Sequence, residues 1–146
     1  MSDFSQIQHP VSSLRMLARL RIAGSPDWVG IDSGAVWISN KAKHNIARID
    51  AATNLIVTHV TVGRQPCAGL GVGFGSIWVP NCGDSTITRV ETISSQVIAT
   101  IPAGIADSEG SIGVGAGGRV DAHRRQWHPF TYRPYYEHYH CSDSRA

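Results

Sequence analysis

An all-β chain of repeated antiparallel units is predicted by three observations. Val36-Trp37-Ile38-Ser39-Asn40 recurs as Ile77-Trp78-Val79-Pro80-Asn81, 41 residues later. Ile46-Ala47-Arg48-Ile49-Asp50 recurs as Ile87-Thr88-Arg89-Val90-Glu91 at the same offset, so the Trp-to-Arg spacing is 11 in both copies. Gly71-Val72-Gly73-Phe74-Gly75 is echoed by Gly113-Val114-Gly115-Ala116-Gly117, after which the repeat stops. A period of about 40 residues with about four short strands per unit is the sequence signature of β-propeller blades. The predicted fold is a partial β-propeller: two four-stranded antiparallel blades, a lone N-terminal outer strand and the start of a third blade.

The elements follow in order. Residues 1–13 read as an unstructured lead, and 14–118 as the incomplete propeller. Residues 17–24 resemble 97–104, and both end in Ala-Gly, so 17–24 is predicted to be an outer strand. In a closed ring such a strand completes the last blade. A short helix over 12–20 is the competing assignment. The first blade spans about 28–63, with strands over 28–31, 35–39, 46–50 and 55–62. Gly34 and Asp50-Ala51-Ala52-Thr53-Asn54 supply its turns. The second blade spans about 68–104, with strands over 70–74, 76–80, 86–91 and 96–102. Its turns fall at Gly75 and at Asn81-Cys82-Gly83-Asp84.

Composition restricts the partners. The chain has 146 residues, the length of one ordinary domain, and 42% hydrophobic residues, enough for a core. Residues 1–118 hold eight Lys/Arg and eight Asp/Glu, so this part is neutral and the whole excess of +2 lies in 119–146. A neutral body offers no electrostatic footprint for nucleic acid or an anionic membrane. No apolar run approaches the roughly 20 residues that span a bilayer. The N-terminus has no basic segment followed by an apolar one, so no signal peptide is read and the product is expected in the cytoplasm as written.

Residues 119–146 change character. They hold all four Tyr and four of the seven His. His123, His128, His138, His140 and Cys141 resemble a metal cluster superficially, but the paired ligand spacing of a zinc site is missing, so no metal is expected. A disordered tail is one account of this segment. Another explains more. Permitted codons for these residues, read one nucleotide out of frame, encode GVWMLTDGNGTLSRIDPTTNTII. That peptide restores Val-Trp, Arg-Ile-Asp at the same Trp-to-Arg spacing, and the Thr-Asn turn of Thr53-Asn54. A frameshift near Gly117-Gly118 is therefore expected, with 119–146 a non-native tail.

Candidate functional residues are weighed against structural roles. Trp37 and Trp78 sit mid-strand, where an aromatic packs between blades. Arg48 and Arg89, each followed by an acid two residues later, are expected to stitch blades together. Cys67 precedes one strand and Cys82 follows its antiparallel neighbour, so the two are expected to lie close and to be able to form a disulfide. Asp107 and Glu109 lie in the loop leading to the third inner strand, and by register Glu109 matches Cys67. With Asp27 and Trp28 of the corresponding first-blade loop, they are the candidate ligand residues at the channel mouth. A solvated acidic loop is the competing account. The glycines at 69, 71, 73 and 75 do not form a phosphate loop, because Ser76-Ile77-Trp78-Val79 continues as a strand rather than a helix. No catalytic set and no cofactor are expected.

Val36-Trp37-Ile38-Ser39-Asn40, Ile77-Trp78-Val79-Pro80-Asn81, Arg48-Ile49-Asp50 and the Thr53-Asn54 turn together resemble the YVTN-type repeat of bacterial propellers related to virginiamycin B lyase. The resemblance covers about residues 17–118. It implies a longer, typically seven-bladed parent, often exported. The lyase's His and Glu metal ligands have no counterpart, since residues 1–118 contain only His9, His44 and His59. The expectation is a truncated propeller serving as a non-catalytic scaffold or a ligand-binding module. Its partner is a small molecule or protein at the propeller face, and self-association through exposed blade faces is expected. The alternative is a fragment of a lyase- or lactonase-like enzyme whose catalytic residues lie in missing blades.

Overall fold

The computed structural model describes residues 10–104, 110–115 and 120–124. Among the described residues ten strands make three sheets. Strands β1 (Pro26–Ile31), β2 (Ala35–Asn40), β3 (Asn45–Asp50) and β4 (Leu55–Thr61) form the first, paired antiparallel in chain order. Strands β5 (Gly71–Gly73), β6 (Ser76–Asn81), β7 (Thr86–Glu91) and β8 (Val97–Pro102) form the second in the same order. Strands β9 (Gly110–Val114) and β10 (Val120–Arg124) form a two-stranded third. The chain is all-β, with two propeller blades and the start of another.

The repeat extends to backbone detail. Non-glycine residues in the left-handed region include His44 and Ser85 on the β2–β3 and β6–β7 connections, and Asn54 and Ser95 on the β3–β4 and β7–β8 turns. Each pair keeps the 41-residue offset of the sequence repeat. His44 O accepts from Val62 N–H, and Ser85 O accepts from Ala103 N–H in the same way. A bulge interrupts β3–β4 between Arg48 and Ile49, and β7–β8 between Arg89 and Val90. Bulges increase strand twist, so both blades turn their outer strand alike.

Short polar side chains set the turns. Asp50 Oδ1 accepts from Thr53 N–H at 2.8 Å and Ala52 N–H at 3.0 Å, while Asn54 N–H closes onto Asp50 O at 2.9 Å. Asp32 Oδ1 accepts from Gly34 N–H at 2.8 Å and Ala35 N–H at 2.6 Å. Carboxylates that mimic a backbone turn explain why Asp sits at both places.

The sheets stack face to face. Ala35, Trp37, Ile46 and Val60 of the first sheet pack on Ile77, Val79 and Val90 of the second, flanked by Val62 and Leu70. Trp78, Ile87, Cys67, Ala68, Cys82 and Ala103 pack on Ile112 of β9, flanked by Ile101 and Val114. Trp37 is 0% exposed and Trp78 3%. Each blade therefore presents its Trp face to the blade that follows. The first strands come closest. A Cβ on Gly71 would stand 2.6 Å from Ile112 Cγ2, and one on Gly73 2.5 Å from Val114 Cγ1. Only glycine admits that approach.

Three expectations differ from the structure. Residues 17–24, expected as an outer strand, form none, and Leu17 is 70% exposed. A strand needs a hydrogen-bonded neighbour, and no edge among the described residues is given to it. No helix forms over 12–20; only a single 3-10 turn at Val11–Ser13 is present. Residues 120–124, assigned to the tail, pair with β9.

Trp37→Ala is expected to cost about 3–5 kcal/mol, enough to unfold a marginal chain outright. Urea titration followed by circular dichroism measures it, and a cost below about 1 kcal/mol would show that this side chain does not anchor the blade interface.

Candidate functional site

The end of the sheets where the first strand of each blade begins carries the candidate ligand residues. Pro26 lies opposite Asn40 and Val29 opposite Ile38, so the register slips by one residue at Asp27-Trp28. The bulge leaves Asp27 exposed and Trp28 37% exposed, with Trp28 N–H donating to the buried Ser39 Oγ at 3.0 Å. These two residues thus belong to β1 rather than to the loop before it. The same end of the second blade is built from Pro66, which bridges to Asn81. Next to it Cys67 and Cys82 are joined by a disulfide, with Cα atoms 5.7 Å apart. Cys67 N–H donates to Pro80 O at 3.2 Å and Cys82 N–H to Gln65 O at 3.0 Å. Both cysteines are buried. The bridge therefore fastens the segment before β5 to the end of β6. Asp107 and Glu109 lie outside the described residues, as do His128, His138, His140 and Cys141.

The recurrent Trp and Arg residues meet within each blade. Trp37 lies opposite Arg48 in the β2–β3 ladder, and Trp78 opposite Arg89 in β6–β7. The Arg48 guanidinium carbon stands 5.7 Å from the Trp37 ring centre, and that of Arg89 4.9 Å from the Trp78 ring. Arg89 also donates from Nε to Ser76 Oγ at 2.9 Å and from Nη2 to Phe74 O at 3.4 Å. These contacts hold each Arg over the Trp of its own sheet, whereas the sequence had suggested a link between blades. A guanidinium over an indole contributes about 0.5–1 kcal/mol at a partly exposed site.

Asp32 is a residue that motif comparison passed over. Its Oδ2 accepts from Trp37 Nε1–H at 3.0 Å, in addition to the two turn amides on Oδ1. Partial burial opposes its ionisation. The hydrogen bonds from Gly34, Trp37 and Ala35 and the charge of Arg48 outweigh that and hold the carboxyl below the usual aspartate range. Asp50 is also lowered, chiefly by the amide and hydroxyl of Thr53. The signal for Asp32 was present as Asp-Ser-Gly just before the repeated Trp. Asn40 and Asn81 were legible as the last residue of each repeated string. Asn40 Oδ1 accepts from Ser25 N–H at 3.0 Å and its Nδ2 donates to Ala23 O at 2.8 Å. Asn81 Nδ2 donates to Thr88 Oγ1 at 2.9 Å and Thr86 Oγ1 at 3.0 Å. His44 Nδ1 accepts from Gln65 N–H at 3.0 Å, linking the two blades.

Among the described residues no group of three or more His, Cys, Asp or Glu could hold a metal ion. No described helix is long and apolar enough to cross a membrane.

No known protein family and no curated protein matches the chain. Solved structures do. Hydrazine synthase from Kuenenia stuttgartiensis matches with a TM-score of 0.56 at 20% identity, over 77% of this chain and 36% of that one. Apo AztD from Citrobacter koseri matches with a TM-score of 0.52 at 16% identity, over 57% of this chain and 25% of that one. Glutaminyl cyclase from Myxococcus xanthus gives 0.48 at 16% identity, over 70% of this chain and 51% of that one. These neighbours are proteins of β-propeller type, and the likeness extends to the fold. The chain spans about a third and a quarter of the first two structures it matches.

The depressed carboxyls give a signed acid dependence. A group that ionises more readily when folded stabilises above its unfolded pKa, and that stabilisation is lost as pH falls through the folded value. Asp32→Asn should therefore be less stable than the parent at neutral pH and lose less stability between about pH 5 and pH 2. Urea titrations at stepped pH read this directly. Parallel curves for the two proteins would remove Asp32 from the account.

Proposed function

We propose that the chain is part of a β-propeller repeat module that acts as a scaffold or ligand-binding platform and has no catalysis of its own. The observation that supports this best is where the polar side chains go. Asp32, Asp50, Asn40, Arg48, Arg89 and His44 are each engaged with the backbone, the Trp or the turns of the blades themselves. Groups held this way position strands. The ligand seat in this proposal is the Asp27-Trp28 bulge. It offers an indole surface beside a carboxylate at the end of the first strand, and suits a small molecule or peptide with one apolar and one cationic or donor group.

The repeat is of the YVTN type in this proposal, on the strength of the two Trp strings and Arg48-Ile49-Asp50. The Cys67–Cys82 disulfide suits an oxidising compartment, and with it an exported parent. A second function follows from length. Because the chain spans 36% and 25% of two matched structures, it is alternatively a fragment of a lyase- or lactonase-like enzyme with its catalytic residues in other blades. Incubating the purified chain with lactones and esters tests whether it has catalysis of its own. No turnover above buffer is expected. Turnover abolished by Asp27→Ala would overturn the scaffold assignment.

We further propose that residues 119–146 are read out of frame. The third hairpin supports this. Ile31 faces Val36 and Val72 faces Ile77 across four residues, whereas Val114, the counterpart of Val72, faces Val120 across five. The hairpin register thus slips by one residue just where the sequence repeat ends. Resequencing through the codons of Gly117-Gly118 is expected to find in-phase blade sequence in the alternate frame. An intact frame with no blade sequence beside it would overturn the proposal.

A further inference from the structure

The two blades fasten the entry to their first strands in different ways. In the first blade the buried Asn40 side chain acts as a clamp. Its Oδ1 accepts from Ser25 N–H at 3.0 Å and its Nδ2 donates to Ala23 O at 2.8 Å. Lys41 N–H adds a bond to Ser25 O at 3.1 Å.

The second blade keeps the asparagine but not the clamp. At the repeat offset Asn81 stands for Asn40, and Pro66 stands for Ser25. Proline has no N–H to donate. Thr86 and Thr88 stand for Asn45 and Ala47, and Asn81 Nδ2 donates to their hydroxyls instead. Asn81 is 0% exposed, and its Oδ1 has no hydrogen-bond partner among the described residues. At the same joint Cys67 and Cys82 stand for Pro26 and Lys41, and they form the disulfide. A covalent link thus occupies the place where the side-chain clamp is lost. It has more to hold, because β5 has three residues where β1 has six. The other ties on this segment are an isolated bridge at Pro66–Asn81 and single bonds such as Gly83 N–H to Arg64 O at 2.9 Å.

We propose that Cys67–Cys82 is a redox-sensitive latch, which fixes the entry to the second blade when oxidised and frees it when a dithiol reduces it. One reductant thiolate attacks a cysteine Sγ, and the S–S bond breaks as a mixed disulfide forms. The second reductant thiol then displaces the protein sulfur. Two electrons and two protons pass to the protein as thiols, and the reductant leaves as its own disulfide. What is freed is local. The core that packs Trp37 between the first two sheets includes neither cysteine. The cysteines and Ala68 instead pack with Trp78 on Ile112 of β9, and Gln65 N–H reaches His44 Nδ1 of the first blade. Reduction therefore loosens the seat of the third sheet and one tie between the blades, while the Trp37 interface stands.

Hydrogen exchange read by mass spectrometry, on the full chain with and without dithiothreitol, tests this. Reduction is expected to speed exchange over residues 64–73 about tenfold or more, with 23–31 and 35–50 unchanged. The Cys67→Ser/Cys82→Ser double variant should exchange like the reduced parent and ignore the reductant. Pro66→Ser returns an N–H for Asn81 Oδ1 and should reduce the response of 64–73. Equal exchange with and without reductant would overturn the proposal. So would faster exchange throughout the chain, which marks a staple for the whole fold, or a Pro66→Ser variant as responsive as the parent. Iodoacetamide labelling of both cysteines in unreduced, urea-unfolded protein would show that there is no bridge to open, and would overturn it equally.

Discussion

The structure depends on Trp37, buried where the first two sheets meet. A four-stranded sheet of this size cannot stand alone in water, because its hydrogen bonds are satisfied within it while its apolar faces are not. Burying an aliphatic side chain contributes about 1.5–3 kcal/mol, and most of the core residues of both blades lie at the sheet-to-sheet contacts. The indole is large enough to reach across that gap and is fixed at its edge by Asp32. The Arg48 guanidinium carbon stands 5.7 Å from the ring centre. Turn, strand and interface are therefore one unit. The aspartate that closes the β1–β2 turn also orients the side chain that joins the blades.

Stacked sheets in a propeller are wedges, narrow at the first strand and wide at the fourth. The residues follow that taper. Glycines at 71 and 73 let β5 lie against Ile112 and Val114, where any side chain would collide. Farther out, Trp78 and Ile87 fill a wider space. The outer strand carries a bulge at the same place in both blades, which adds twist where the separation is greatest. The shortness of β5 is part of the same geometry. Its entry segment is held by the Pro66–Asn81 bridge and the disulfide instead of by a longer ladder.

The blades were legible because they repeat. A single strand such as 35–39 is ambiguous, but its recurrence with Trp and Arg at one spacing leaves few alternatives. The turns were legible too, since Asp50 and Gly75 do what their chemistry predicts. The 17–24 strand was not. Its likeness to 97–104 is a statement about side chains, and a strand also requires a partner edge, which a segment does not encode by itself. The site was less legible than the fold. Asp27 and Trp28 were expected in the loop before the first strand, and the one-residue slip that places them inside β1 depends on how β1 meets β2. Asp32 was missed because it falls outside the repeated strings. The second blade serves the equivalent indole differently, with Trp78 Nε1–H donating to Gly73 O.

That difference shows how the two blades diverged without losing their fold. The first blade satisfies its indole with a carboxylate and turns on Asp-Ser-Gly. The second uses a backbone carbonyl and a tight turn with Phe74 and Gly75 both left-handed. A bulky residue rarely adopts that conformation, and Arg89 donating to Phe74 O helps hold it. Two chemistries thus meet one requirement: a buried indole N–H must have an acceptor. Repeat proteins tolerate such exchange because each unit answers only to its neighbours.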